Sequence, residues 1–567
     1  MKNEFKGRIS RTTMAASIAL GLTALAGGSA RADSFNVGNP DIELRWDNTI
    51  RYTGGMRMKH VNPAFLGVAG YDETEGRFTR GDFVTNRIDL LSELDFTYMR
   101  KYGFRVSGAA WNDFAYDGKS RRNTALPVSG AYINDQYNGY VDRYIRRGAE
   151  ILDAFVFGNF DLGPVALSVK AGQHNVYWGE SLYSIGNSMA YSQGPVDTIK
   201  AATSPGAEAK ELFLPLKQIS AQAQLTDELS IAAQYSLDWK PFRLVPGGTY
   251  FAPSDGSRSD FAANFPGAFN LANGEDFGPE KTRGNFGVNL RYSPAALQGS
   301  VGLYYRKFDE KLPWSFTQLR RVPVAPFVAP QAIRLAFARD TELLGVSFTR
   351  NINSVSVGAE LSYRKGTALN SPSGFSVLPA NVTATSPTYA EAEGARGNTI
   401  HGLINGIWLM PENSLWKGGT LQGELNFSHL NKVTRNANRF FGEGFACPAG
   451  QSKKNGCATK TAFGMNLGFT PEWPQLFAGW DISMPTSLAY QIRGNGAALG
   501  GGNEGSLSYS IGVAGKLYSK YEFSLRYADA SSRYNTNPLT GLFTNGNGSN
   551  AVQSDHDWLV FTFKTSF

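Results

Sequence analysis

Residues 42–53 alternate between apolar and polar side chains with a period of two. One face of an extended strand would carry Ile42, Leu44, Trp46, Ile50 and Tyr52, and the other Glu43, Arg45, Asp47, Thr49 and Arg51. This period is that of a β-strand whose two faces meet different environments. The pattern recurs at residues 285–292, 354–364 and 521–527. The apolar face would point to the core of a soluble sandwich or to lipid in a membrane barrel, and the periodicity alone leaves both open.

The order of turns and loops separates these two folds. Candidate strands come in pairs joined by very short turns, while long polar loops separate the pairs, an asymmetry typical of outer-membrane barrels. The short turns are predicted at residues 100–103, 161–164, 226–228, 293–297, 351–353, 411–415, 471–475 and 516–520. With a first strand at 42–57 and a last at 555–567, the sequence predicts an all-β transmembrane antiparallel barrel of 18 strands. A count of 16 is the alternative, and in either case both chain ends lie on the periplasmic side.

The charged side chains predict which face of each strand lines the lumen. A Lys or Arg that faces lipid at mid-membrane costs roughly 2–4 kcal/mol, so charged positions are expected to point inward. The residues predicted to line the lumen are Arg45, Asp47, Arg51, Arg291, Glu360, Arg364 and Arg526. A slip of one residue in the register would turn all of them toward lipid.

Both ends of the chain carry export signals. Basic residues between Lys2 and Arg11 precede an apolar stretch at 14–26 and the site Ala30-Arg31-Ala32, which predicts a signal peptide over residues 1–32. The last strand ends in Phe567 and resembles the signal read by the outer-membrane assembly machinery, except that Thr565 stands where an apolar residue is usual. Residues 33–567 are therefore expected to form one barrel in the outer membrane of a Gram-negative bacterium.

Charge and histidine content exclude several function classes. The signal peptide holds five of the 55 basic and one of the 48 acidic residues, so the mature chain has 50 basic and 47 acidic ones, without a basic cluster. Such a balance offers no footprint for nucleic acid. None of the five histidines lies in a hydrolase or metalloprotease motif, so neither an enzyme nor a cofactor is expected. Asp555, His556 and Asp557 could hold a metal, but neighbouring residues on a strand point to opposite faces.

The two cysteines, Cys447 and Cys457, lie in one polar stretch that reads as an exposed loop. Their spacing suits a local disulfide, and the periplasm is oxidising. A zinc site is the alternative, but two thiols without a nearby histidine would leave the metal half-liganded. We therefore expect a disulfide and no metal site.

Residues 172–216 interrupt the strand pattern with a series of short motifs. These are Gly172-Gln173-His174-Asn175-Val176-Tyr177-Trp178-Gly179-Glu180, Gly194-Pro195-Val196-Asp197, Ser204-Pro205-Gly206-Ala207-Glu208 and Leu212-Phe213-Leu214-Pro215. Their order, with the stretch from Trp239 to Asp255, resembles the domain-of-unknown-function 1302 family of bacterial outer-membrane proteins, although His174 stands where that family more often has an apolar residue. The resemblance implies a periplasmic or lipoprotein partner, an inner-membrane pump, and a role in moving sterols, lipids or other hydrophobic compounds.

The same stretch is too rich in Gly and Pro to be a strand, yet it carries many large apolar side chains. We expect it to fold into the lumen as a hatch, since a barrel of this size has a wide interior. The residues considered as ligand or gate positions are Tyr177, Trp178, Glu180, Tyr183, Asp197 and Glu208. A structural plug without ligand contacts is an equal alternative. The leading hypothesis is a channel or transporter for a hydrophobic or amphipathic compound, ahead of a general diffusion porin for small polar solutes and a lipid-modifying enzyme.

Overall fold

A computed structural model describes residues 33–35, 38–121, 130–204, 209–265, 269–322 and 328–567. Its main feature is a ladder of long antiparallel strands. In chain order these are β1 (Ile42–Arg57), β2 (Phe83–Tyr98), β3 (Tyr102–Asp113), β4 (Arg147–Leu162), β5 (Val165–His174), β6 (Leu216–Gln224), β7 (Leu229–Ser236), β8 (Phe286–Tyr292), β9 (Gly299–Phe308), β10 (Thr341–Ile352), β11 (Val355–Ala368), β12 (Arg396–Leu409), β13 (Gly418–Arg435), β14 (Thr461–Phe477), β15 (Trp480–Ser483 and Thr486–Arg493), β16 (Leu507–Leu517), β17 (Tyr521–Ser531) and β18 (Trp558–Ser566). The predicted signal peptide lies outside the described residues.

The ladder closes on itself because β1 pairs with both β2 and β18. The sheet has 20 strand segments, of which Asp33–Phe35 is a short addition beside β1 and two are the halves of β15, so 18 strands form the wall. At the seam Arg57 is opposite Trp558 and Thr49 is opposite Ser566. Closure leaves no unpaired edge, as a membrane-spanning sheet requires. The predicted 18-strand antiparallel barrel is confirmed.

Connections of two to eight residues alternate with connections of 13 to 49 residues. Seven of the eight predicted turns overlap the short connections. The turn predicted at 471–475 is wrong. Strand β14 continues through Pro471 and Pro474 to Phe477, and the chain turns at Ala478 and Gly479. Gly479 has a φ of 77°, which glycine adopts without strain. The interruption of the strand pattern predicted at 172–216 is slightly shorter in the structure, because β5 extends to His174 and β6 begins at Leu216.

Exposure is inverted relative to a soluble protein. Leu344 is 62% exposed and Leu425 is 55% exposed, whereas Arg364 is fully buried. The alternation of side chains along each strand explains this distribution. Leucines occupy outward-facing positions, and the charged residues next to them in the sequence point inward. The chain is therefore a transmembrane barrel whose apolar face meets lipid.

The long connections, which all join strands at one end of the barrel, called the outer end below, carry the remaining elements. They include the helices α1 (Pro63–Leu66), α2 (Asp72–Arg77), α3 (Gly139–Val141), α4 (Thr198–Thr203), α5 (Tyr389–Ala392) and α6 (Ser549–Val552), a π-helical turn (Asp142–Arg146), and the short strands Phe261–Phe265, Phe269–Ala272, Pro313–Arg321, Val328–Phe337, Phe375–Val377, Tyr534–Thr536 and Phe543–Gly546. Among the described residues, no helix has the length and apolar content needed to cross a membrane. A disulfide joins Cys447 to Cys457 with a Cα–Cα distance of 5.7 Å.

A large apolar cluster lies where the connections after β1, β3, β5 and β7 meet the barrel wall. It joins Phe78, Tyr116 and Tyr250 from the connections after β1, β3 and β7 to Trp558 at the start of β18. The rings pack edge to face, with centroids 5.6 Å apart for Phe78 and Tyr116. The outer connections thus form a packed layer over the barrel.

Candidate functional site

The connection between β5 and β6, residues 175–215, is called the inner segment below; residues 205–208 of it are outside the described part of the chain. Its hydrogen bonds reach side chains of β9, β11, β12 and β13, which lie three, five, six and seven strands beyond β6 in the ladder. Those side chains are on the face opposite the exposed leucines. These contacts place the inner segment against the inward-facing side of those strands.

Two inward-facing glutamates hold the backbone of the inner segment. Glu360 on β11 accepts hydrogen bonds from the backbone N–H groups of residues 180, 181 and 189, the last at 2.6 Å. Glu424 on β13 accepts from those of residues 182, 183 and 184 at 2.7, 3.3 and 2.7 Å. Hydrogen bonds to an ionised acceptor are stronger than neutral ones. Two side chains thus fix six backbone groups.

Two buried arginines hold the carbonyl side of the same segment. Arg306 on β9 donates to the carbonyls of residues 189 and 191 at 2.7 and 2.9 Å. Arg364 on β11 donates to those of residues 186 and 188 at 2.9 and 3.1 Å. A guanidinium presents several donors in a rigid plane, so one side chain can bind two neighbouring carbonyls. The turn at 186–191 is fixed to the wall through both kinds of backbone group.

Two of the predicted ligand positions serve in packing. Trp178 is only 9% exposed and lies with Met189 and Tyr304 in one apolar cluster. A Cβ added at Gly287 would come within 2.7 Å of the Trp178 ring, so the indole needs that glycine in the wall. Tyr177 donates to the Ser181 carbonyl at 2.7 Å and packs against Phe213. These aromatic rings attach the segment to the wall and to itself.

Glu180 and Tyr183 contact strands further round the wall. The Glu180 carboxylate pairs with Arg291 on β8 at 2.6 Å, and its backbone carbonyl accepts from Asn405 on β12 at 2.6 Å. The Tyr183 hydroxyl donates to Gln422 on β13. These two residues thus attach the inner segment to β8, β12 and β13.

Asp197 is remote from them. Its carboxylate caps α4 by accepting from the Lys200 N–H at 3.0 Å and pairs with Arg243 at 2.8 Å. Arg243 also pairs with Glu150 on β4 at 2.7 Å, so Asp197 ties the inner segment to its own side of the barrel. Glu208 lies outside the described residues.

The remaining predicted luminal charges lie elsewhere along the wall. Arg45 pairs with Asp47 at 2.6 Å on the face of β1 opposite Trp46, and Arg51 pairs with Asp89 of β2 at 3.2 Å. Arg526 is on the face of β17 opposite the exposed Leu525. Of the predicted luminal set, Arg291, Glu360 and Arg364 form hydrogen bonds with described residues of the inner segment.

A cavity of about 460 Å³ lies beside the inner segment, between residues 183–187 and strands β13 to β16. Its described lining holds no Asp, Glu, Lys or Arg. Hydroxyl and amide side chains dominate it, among them Ser184, Asn187, Asn426, Asn466, Gln491 and Ser508. Tyr183, Ile185 and Leu499 add apolar surface. The cavity thus offers many neutral hydrogen-bonding groups and a small apolar wall.

Glu424 and Arg306 were not identified from the sequence. Both obey the two-residue alternation: Glu424 lies between Gly423 and Leu425, and Arg306 is flanked by Tyr305 and Lys307 on the outer face. The alternation that placed Glu360 inward would have placed Glu424 inward as well. Their partners are backbone groups more than 100 residues away, which no local pattern specifies.

Outside the barrel wall, two buried carboxylates meet where the outer connections pack. Asp255 accepts from the backbone N–H of Glu73 at 3.1 Å, and Glu73 accepts from that of Ala131. Burial and the nearby Asp255 charge raise the pKa of Glu73 to about 9. Burial raises the pKa of Asp255 as well. Both groups favour the protonated form while the connections are packed.

We expect the packing of these connections to loosen as the pH rises. The packed form holds a proton on Glu73 that the opened form releases above the ordinary pKa of 4.5, so its stability is full below that pH and is lost as the pH rises toward 9. Each extra proton changes the opening equilibrium by up to about tenfold per pH unit. Hydrogen exchange over residues 63–77, corrected for intrinsic rates between pH 5 and 9, measures it. Glu73→Gln should flatten the profile, and an equally steep profile in that variant would contradict the assignment.

The sequence matches the family described as "Protein of unknown function (DUF1302)" over residues 13–567, nearly the whole chain. The chain belongs to the DUF1302 family. No curated protein matches this DUF1302 chain. Solved structures similar to it include OccK1 (OpdK) of Pseudomonas aeruginosa, at 8% identity and a TM-score of 0.39, covering 92% of this chain and 98% of that one. Others are a BenF-like porin from Pseudomonas fluorescens, at 9% identity and 0.41 over 93% and 98%, and OccAB1 of Acinetobacter baumannii, at 8% and 0.40 over 95% and 99%.

Proposed function

We propose that this protein is a channel of the Gram-negative outer membrane that passes uncharged amphipathic solutes through its lumen. The cavity beside the inner segment carries the proposal. Its volume of about 460 Å³ is in the range of sites for small organic molecules. Its place between the inner segment and the wall puts it on the route through the barrel.

The chemistry of the lining supports an uncharged solute. An ion entering this cavity would lose water without meeting an opposite charge, which is costly in a confined site. A neutral solute exchanges its hydrogen bonds to water for bonds to hydroxyl and amide groups. Tyr183 and Ile185 give an apolar part of the solute a surface to contact. This combination favours a molecule with one polar and one apolar side, a description that includes sterol-like compounds.

The anchors of the inner segment support a restricting role. Glu360 and Glu424 hold the stretch from residue 180 to 189 against the wall, where it takes up part of the lumen. A barrel of this strand number without such a segment is an open aqueous channel. The inner segment thus limits what passes and supplies one wall of the cavity.

A general diffusion porin for small polar solutes is the second candidate. The many amide and hydroxyl groups of the same cavity favour it, because they bind sugars as readily as the polar end of an amphipathic molecule. The two candidates differ in what the apolar wall contributes. Only the first requires Tyr183 and Ile185 to contact the solute.

Flux into liposomes containing the purified protein tests the proposal with three matched solutes: glucose, phenyl glucoside and the negatively charged phenyl glucuronide. We expect phenyl glucoside to enter faster than the glucuronide of the same shape, and the variant Tyr183→Ala with Ile185→Ala to slow it several-fold without slowing glucose. The control Tyr292→Ala removes an exposed tyrosine of β8 instead. Entry ordered by size alone, with equal effects of the variant on all three solutes, would leave the porin as the function.

A further inference from the structure

Three potential metal ligands converge at the outer end of the barrel seam. They are Glu75 on α2, and Asp555 and His556 in the connection that leads into β18. One atom of each, a carboxylate oxygen or an imidazole nitrogen, lies within 4.8 Å of the others. The His556 Nε2 contacts Glu75 Oε1 and lies 3.8 Å from Asp555 Oδ1. All three residues are at least nine-tenths buried.

Arg57, at the end of β1, orients both carboxylates. Its Nη1 lies 2.9 Å from Glu75 Oε2 and its Nη2 lies 2.6 Å from Asp555 Oδ2. This arrangement turns the other oxygen of each carboxylate toward His556. Among the described residues, Asp555 Oδ1 is buried without a hydrogen-bond partner and is aimed into the cluster. The imidazole is held flat against the Tyr250 ring, with centroids 4.8 Å apart.

We propose that Glu75, Asp555 and His556 bind a divalent transition-metal ion of the zinc class. Two carboxylate oxygens and one imidazole nitrogen are a donor set that zinc accepts, whereas calcium and magnesium take oxygen ligands. Arg57 fills the role of an outer group that fixes the ligands in place. The positive charge of Arg57 and the two negative charges of Glu75 and Asp555 sum to −1. A bound divalent cation changes this sum to +1, beside the buried carboxylate of Asp557.

Asp555 and His556 lie before the last strand, and not within it as the sequence predicted. On a strand the two neighbouring side chains would diverge, but β18 begins only at Trp558. The two residues precede it in an irregular stretch where both side chains turn toward Arg57 and Glu75. The third ligand comes from a connection 480 residues earlier, which sequence spacing could not indicate.

The proposed ion has a structural place in the barrel. Arg57 and Trp558 are paired across the seam between the first and last strands. A metal bound here joins the connection after β1 to the residues that enter β18, and so fastens the outer end of that seam. It also fixes His556 under Tyr250, which belongs to the connection after β7.

Calorimetric titration of the full-length protein in detergent, first stripped with a chelator, tests the proposal with Zn²⁺ alone. We expect one Zn²⁺ per chain in the wild type and a loss of affinity of about 100-fold or more in His556→Ala, since even outer-shell changes cost about 10–100-fold. The matched control is His60→Ala, which removes a histidine of the connection after β1 that contacts Arg80. Ca²⁺ and Mg²⁺ should bind at least tenfold more weakly than Zn²⁺.

A second variant, Glu75→Gln, separates loss of metal from loss of fold. It keeps the side-chain shape and should weaken Zn²⁺ binding, while the unboiled protein still migrates faster than the boiled one on a detergent gel. Two results would overturn the proposal: equal Zn²⁺ affinity in the wild type and His556→Ala, or no Zn²⁺ bound by a wild type that is folded on the same gel. Either would assign the cluster to an ion-pair network in which a proton joins His556 and Glu75. Calcium binding as strong as zinc binding would also contradict it.

Discussion

Replacing Glu360 and Glu424 together by Ala is expected to raise single-channel conductance in planar bilayers several-fold. The two carboxylates accept six backbone hydrogen bonds from the inner segment. Each hydrogen bond to a charged group contributes about 1.5–3 kcal/mol, so losing both acceptors should free residues 180–184 from the wall, while Arg306 and Arg364 still hold the turn at 186–191. More of the 18-strand lumen is then open to water and ions. Deleting residues 182–210 should give at least the same increase.

The matched control for this experiment is Glu522→Ala. Glu522 lies on β17 and pairs with Lys564 at 3.2 Å, far from the inner segment in the ladder. It removes an acidic side chain without removing an anchor, so its conductance should stay near that of the wild type. An unchanged conductance in the double variant, in protein that still migrates as a folded barrel, would show that the segment does not restrict the lumen. The measurement reports occlusion, and solute recognition rests on the flux experiment.

Replacing Leu361 by Arg is expected to block assembly of the barrel. Leu361 is 48% exposed on β11 and lies opposite Val346 of β10 in the middle of both strands. An arginine facing lipid at mid-membrane costs roughly 2–4 kcal/mol, and adding Leu344→Arg on the neighbouring strand should double that cost. The fraction of protein in the outer membrane that keeps its fast gel migration measures assembly. We expect a small residual fraction for the single variant and none for the double.

Ser356→Arg is the control on the same strand. Position 356 has the parity of Glu360 and Arg364, so its side chain lies on the luminal face and an arginine there should be tolerated. Equal assembly of the Leu361 and Ser356 variants would contradict the assignment of the two faces. A block by the Ser356 variant alone would reverse it.

The fold was predictable because a wrong register would turn the charged side chains of a strand toward lipid, at a high cost in free energy. Alternation fixed the inner and outer faces, and the contrast of short and long connections fixed the strand count. The error at residues 471–475 has a local cause. Prolines usually mark turns, but Pro471 and Pro474 lie near the end of β14, where ladder hydrogen bonds are few, and Gly479 supplies the turn instead.

The candidate site was less predictable because backbone groups make most of it. Alternation placed Glu360 and Arg364 inward but could not show that their partners are peptide groups of a distant segment. The aromatic content of that segment suggested ligand contacts. The structure uses Trp178 and Tyr177 for packing and leaves Tyr183 at the cavity. Apolar composition therefore indicated that the segment would be buried, without indicating which side chains face the passage.

The anchors bind the inner segment through peptide N–H and C=O groups, which almost all residue types share. Side chains at positions such as 183 and 185 can therefore change while Glu424 keeps its bonds to the backbone N–H groups of residues 183 and 184, and a change at Tyr183 removes only its side-chain bond to Gln422. Mutation at these positions can therefore alter the cavity lining while the backbone attachment stays the same. For the engineer, the same separation makes a library randomised at Tyr183 and Ile185 a direct route to altered selectivity in an intact barrel.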